Sequence, residues 1–125
     1  DYGSGKGHQY SVRRQHEVWG FPEPECYDIG VAAFAQKPTG PFDGVLCLDM
    51  LEHVPEAFVD QEMDELFRLA RKFVYLVIFT APARKSLPDG RNVHRTVKPE
   101  DWWRQRILRA SRGQEIVVHY KGEDE

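Results

Sequence analysis

The sequence predicts an α/β fold, a mostly parallel sheet with helices on both faces, in a single domain spanning residues 1–125. Three observations carry this expectation. Phe42 to Leu48 (FDGVLCL) and Phe73 to Thr80 (FVYLVIFT) are nearly continuous apolar runs, the pattern of parallel strands buried on both faces. Between them, Val59, Met63, Leu66, Phe67 and Ala70 recur at helical spacing. Glycines at positions 3, 5 and 7 form a loop of the kind that joins a strand end to a helix.

Taken in order, His8 to Glu17 is predicted as a short helix, ended by Gly20-Phe21-Pro22-Glu23-Pro24. A short strand is expected over Cys26 to Ile29, then a helical turn over Val31 to Ala35 and a break at Lys37-Pro38-Thr39-Gly40-Pro41. Phe42 to Leu48 is a central strand. Pro55 sits in the first turn of a helix that runs to about Arg71, because proline is pre-shaped for that position and needs no amide partner there. Phe73 to Thr80, rich in β-branched and aromatic residues, is a second central strand. A loop with Pro82, Pro88 and Gly90 leads to a helix from Pro99 to about Ala110 and a last strand over Glu115 to Tyr120. Strands alternating with helices imply right-handed crossovers and parallel pairing.

Composition bounds the function. An apolar fraction of 41%, with three Trp, five Tyr and seven Phe, describes a packed interior rather than a disordered chain. The longest apolar run, Phe73 to Phe79, is far below the roughly 20 residues that span a bilayer, so a soluble, cytoplasmic protein without a membrane partner is expected. Cys26 and Cys47 read as small apolar residues in a reducing compartment, not as a disulfide or zinc framework. Net charge is -3, but Asp49 to Glu65 holds only acids while bases dominate from Arg68 to Arg112. A small-molecule or anionic substrate fits the basic half; nucleic acid is not favoured over it.

The loop Asp1-Tyr2-Gly3-Ser4-Gly5-Lys6-Gly7 lets backbone approach a nucleotide closely. It is not a phosphate-binding P-loop, because Lys6 is followed by Gly7 rather than Ser or Thr. Nor does Gly-x-Gly-x-Gly match the Gly-x-Gly-x-x-Gly of dinucleotide enzymes. Asp28 lies 21 residues beyond Gly7, near the offset at which an acid binds a ribose hydroxyl.

An acid two positions ahead of Gly-x-Gly-x-Gly resembles the first motif of class I S-adenosylmethionine-dependent methyltransferases. Phe42-Asp43-Gly44-Val45-Leu46-Cys47-Leu48-Asp49-Met50-Leu51-Glu52-His53-Val54-Pro55 resembles the fourth strand and following turn of the ubiquinone-biosynthesis group of that family. The resemblance covers residues 1 to about 80 and implies a Rossmann-like fold. Measured against that fold the chain is abbreviated: no strand precedes Asp1, and 13 residues between Asp28 and Phe42 are too few for a full helix and third strand. It further implies that Asp1, Gly3, Ser4, Gly5, Gly7, Asp28, Asp49 and Met50 bind S-adenosylmethionine, and that a methyl group passes to an oxygen or nitrogen acceptor.

Asp49, Glu52 and His53 crowd the end of a central strand at i, i+3 and i+4, and with His94 they form a candidate site for a divalent metal. The cluster resembles the Glu-x-x-Glu-His metal element of ubiquinone-pathway and small-RNA O-methyltransferases, with Asp49 in place of the first Glu. His53 and His94 are also candidate general bases. Trp102 and Trp103 are candidates for a pocket wall or for plain packing. The alternative is a non-catalytic nucleotide-binding or interaction module built on the same fold.

Overall fold

The computed structural model describes residues 1–122. Three strands, β1 (Phe42–Leu48), β2 (Ala70–Phe79) and β3 (Glu115–Lys121), form an all-parallel sheet in that order. Helix α3 (Glu56–Leu69) crosses from β1 to β2 and α4 (Glu100–Ala110) from β2 to β3; two short helices, α1 (His8–Ser11) and α2 (Gln15–Trp19), precede the sheet. The fold is a small α/β domain with an open parallel sheet, an arrangement compatible with the Rossmann-like class.

Side-chain alternation decides what the sheet buries. Val45 and Cys47 on β1, and Val74, Leu76 and Ile78 on β2, point to one face and are buried. Onto that face α3 lays Val59, Met63, Leu66 and Phe67, and α4 lays Trp103, Ile107 and Ala110. Each large apolar side chain so covered contributes about 1.5–3 kcal/mol. Helix α3 passes into β2 without a loop. The Gln114 side-chain amide holds that junction, donating to the carbonyls of Phe67 (2.9 Å) and Ala70 (3.0 Å).

The sheet is extended beyond β1 by single contacts. The Tyr2 N–H donates to Leu46 O at 2.7 Å, and Tyr2 forms a parallel bridge with Tyr27. Tyr27 N–H donates to Asp1 O and Gly3 N–H to Tyr27 O, so Asp1–Gly3 lies between Tyr27 and β1.

Several expectations are corrected. The helix predicted over His8 to Glu17 divides at Arg14, whose φ is 52°. Only Tyr10 and His16 of that segment are buried, while Val12 and Val18 are exposed, so no continuous apolar stripe sustains one helix. The strand expected over Cys26 to Ile29 shrinks to the Tyr27 bridge, because the Asp28 side chain accepts from Gly30 N–H at 2.8 Å and turns the chain. Helical cover is one-sided over β2 and β3: Phe73, Tyr75 and Val117 on the opposite face keep exposures of 38%, 37% and 47%. Both long helices start one residue later than predicted, with Pro55 and Pro99 as their N-caps. Among the described residues no helix is long and apolar enough to cross a membrane.

Candidate functional site at the carboxyl edge of the sheet

In a parallel sheet the segments that follow each strand gather at the carboxyl edge, where open α/β folds bind ligands. Here those segments are the glycine loop after Tyr2, Asp28 after Tyr27, the turn after β1 and the loop after β2. The chain moves outward from Asp1–Gly3 to Tyr27, then returns to β1 on the other side. That reversal sets the glycine loop beside the turn after β1, where the Met50 side chain packs against Gly3.

Gly3, Gly5 and Gly7 all have positive φ, of 83°, 59° and 70°. At Gly3 the requirement is also spatial, because the Met50 side chain lies where a Cβ would stand. Asp28 ties down the loop with Oδ2, which accepts from Gly5 N–H at 2.8 Å. Buried Ser4 donates its hydroxyl to Gly5 O. On Asp1, Oδ2 accepts from the Tyr10 hydroxyl and from Gln9 Nε2, while Oδ1 is buried with no hydrogen-bond partner among the described residues. Burial pushes the Tyr10 hydroxyl up to about 12, which keeps it a donor.

After β1, Asp49 adopts a φ of 56°, and its carboxylate lies 3.6 Å from Lys121 Nζ on β3. A single 3₁₀ turn, Leu51–His53, then carries Glu52 inward until it is fully buried. Neither of its oxygens has a hydrogen-bond partner among the described residues. Burial pushes its carboxyl up to about 7, and nearby Asp49 adds to the rise.

The loop after β2 closes on this turn. Thr96 N–H donates to Glu52 O at 3.0 Å, and the Thr96 hydroxyl to Val54 O at 2.7 Å. His53 Nδ1 lies 3.0 Å from Val93 O, and His94 Nδ1 lies 2.7 Å from Ala81 O. A carbonyl oxygen only accepts, so both Nδ1 atoms carry a proton; in a neutral imidazole the lone pair then lies on Nε2, and His53 Nε2 lies 3.8 Å from Glu52 Oε2. The two rings meet edge to face at 4.9 Å. Glu52, His53 and His94 each offer one ligand atom within 4.8 Å of the others.

The predicted site residues therefore separate. The structure brings Glu52, His53 and His94 together; Asp49, with its left-handed backbone and its carboxylate turned to Lys121, stands outside that cluster. Asp1, Gly3, Ser4, Gly5, Gly7 and Asp28 form a second group, which Met50 joins by packing on Gly3. Trp103 is buried in the core, and Trp102 stacks under Arg106 at 3.9 Å, so both pack α4 rather than wall a site. Gln9, Tyr10, Asn92 and Thr96 were not foreseen; each acts through a fold-dependent contact that spacing does not reveal. The charge blocks partly neutralise each other, since Asp60 and Asp64 of α3 pair with Arg109 of α4.

The residues fit a metal: one carboxylate with orphaned oxygens and two imidazoles whose Nδ1–H groups are anchored to carbonyls form a two-His, one-carboxylate donor set with positions left over. They also fit a cofactor bearing an ammonium group, for which buried Asp1 Oδ1 is an unused acceptor. A cavity of about 580 Å³ lies away from the triad, between Tyr2, Tyr27 and the start of β1. No family model, curated protein or solved structure matches the chain.

Proposed function

We propose that the chain is a S-adenosylmethionine-dependent methyltransferase domain whose acceptor oxygen or nitrogen is held at a divalent metal on Glu52, His53 and His94. The observation that supports this best is that the glycine loop and the metal-type triad share the carboxyl edge of one parallel sheet. When bound, S-adenosylmethionine supplies an electrophilic methyl group and the ion a Lewis acid that eases loss of the acceptor's proton.

The chain's own residues align and exclude. Asp1 Oδ1 accepts from the cofactor's ammonium, and Gly3, Ser4, Gly5 and Gly7 let backbone pass close beneath it. Asp28 retains lone pairs for a ribose hydroxyl after binding Gly5 and Gly30. His53 and His94 each have one Nε2 lone pair, so each serves as ligand or as base; with a metal in place both are ligands. Restraint of nucleophile and methyl group near attack distance then lowers the barrier to transfer. A small-molecule or anionic acceptor suits the basic loop around Arg84, Lys85 and Arg95, and two free thiols accord with a cytoplasmic setting.

A second reading, a non-catalytic nucleotide-binding module, is favoured by Met50 packing down on Gly3, where the glycine loop would meet a cofactor. Calorimetric titration with S-adenosylmethionine, S-adenosylhomocysteine and NAD tests the proposal. Both sulfur compounds are expected to bind and NAD not to. Failure of both to bind the folded chain would sink the methyltransferase reading.

A further inference from the structure

We propose that Asn92 is a positioning residue that fixes the His94 imidazole for metal ligation; the inference rests on the metal reading above. His94 reaches the triad from the loop after β2; its buried ring packs against Phe79 and His53 and makes one hydrogen bond, from Nδ1 to Ala81 O at 2.7 Å. The ring and its acceptor belong to opposite arms of a hairpin, so that hydrogen bond persists only while the two arms are held together. Asn92 holds them. Its Oδ1 accepts from Ala83 N–H at 3.0 Å and from His94 N–H at 2.9 Å, and its Nδ2 donates to Ala83 O at 2.9 Å.

Two backbone N–H groups converge on one atom, so that atom is the amide oxygen, and the orientation of the side chain is fixed. The amide thus imitates a rung of β-ladder, matching Ala83 through both its N–H and its C=O. The other ties of the hairpin lie towards its tip: Leu87 N–H to Arg91 O, and Val93 N–H to Lys85 O at 3.3 Å. Neither reaches Ala81 or Ala83. Loss of the Asn92 amide therefore frees the Ala81 carbonyl to drift from His94 while the tip stays closed. The ring then exchanges its Nδ1–H tautomer for a mixture, and Nε2 is no longer reserved as a lone pair.

The experiment uses the whole chain, wild type and Asn92→Ala, Asn92→Asp and His94→Ala. Long-range ¹H–¹⁵N NMR reads the tautomer of each ring, and Co²⁺ titration followed by visible absorption reads metal affinity. Asn92→Asp keeps both acceptor bonds but sets a carboxylate oxygen against Ala83 O in place of the Nδ2 donor, so it falls between wild type and Asn92→Ala. The expected result is a pure Nδ1–H pattern for His94 in the wild type and a mixed pattern in Asn92→Ala with His53 unchanged. Co²⁺ affinity is expected to fall by about 10- to 100-fold in Asn92→Ala, the usual cost of removing a residue that orients a metal ligand, and by less in Asn92→Asp. A folded Asn92→Ala with an unaltered His94 tautomer and wild-type Co²⁺ affinity overturns the proposal. A wild type that takes up no Co²⁺ while the tautomer still responds to Asn92→Ala overturns the metal reading and leaves Asn92 as an orienting residue for His94 alone.

Discussion

Glu52 is the residue at which stability and chemistry pull in opposite directions. Its carboxyl rises from 4.5 to about 7 on burial. Below about pH 4.5 it is protonated in both folded and unfolded chains. Between there and pH 7 only the unfolded chain ionises, so stability falls as pH rises; above pH 7 the metal-free fold carries a penalty of roughly 3 kcal/mol, at 1.36 kcal/mol per unit. Glu52→Gln removes that titration. Urea denaturation without metal is therefore expected to show the Gln variant more stable than the wild type at pH 8, with the difference gone near pH 4.5. A stability difference between wild type and Glu52→Gln that stays constant across that window would refute the raised titration of the buried carboxyl. At Gly3 both backbone and space exclude a side chain, whereas Gly5 has positive φ but open surroundings. Gly3→Ala is expected to cost about 1–3 kcal/mol and Gly5→Ala about 1 kcal/mol, by the same denaturation measurement. Equal losses would mean that Met50 does not press on the loop. Spacing alone grouped Asp49 with Glu52 and His53, since i, i+3 and i+4 share a helix face. The turn is not a helix, however: left-handed Asp49 and a single 3₁₀ turn send the two acids in different directions.

Among the elements, the strands were legible because their apolar runs report burial directly, and β1 spans Phe42–Leu48 as expected. The same runs overstated burial on both faces, since an apolar residue on an open face reads no differently from one in the core: Phe73 and Tyr75 are exposed to 38% and 37%. Helix α3 was readable from its stripe, and its fusion to β2 was not, because the Gln114 amide that closes the junction comes from a distant loop. Helix α4 is anchored by Trp103, which is fully buried against α3 and the sheet. Trp103→Ala is expected to cost about 3–5 kcal/mol, whereas exposed Leu108→Ala should stay within about 0.5 kcal/mol of wild type. Thermal or urea unfolding separates the two. A tolerant Trp103 would show that α4 is not part of the cooperative core.

At the scale of the whole molecule, parallel pairing does the functional placing. Because every strand runs the same way, residues as distant in sequence as Gly3, Asp28, Glu52 and His94 follow strands or bridges that end at one edge. The order of the chain made this edge foreseeable; the closure of the second loop over the turn depends on Thr96, whose N–H and hydroxyl reach Glu52 and Val54 more than 40 residues away, and the shape of that loop depends on the Asn92 side-chain clamp. The central claim is that methyl donor and metal share this edge. It is tested most directly with ¹³C-methyl-labelled S-adenosylmethionine bound to the chain and Mn²⁺ added. The account predicts paramagnetic broadening of the bound methyl signal that is lost with His94→Ala or a chelator while the cofactor stays bound. A bound methyl signal that Mn²⁺ leaves sharp would contradict it.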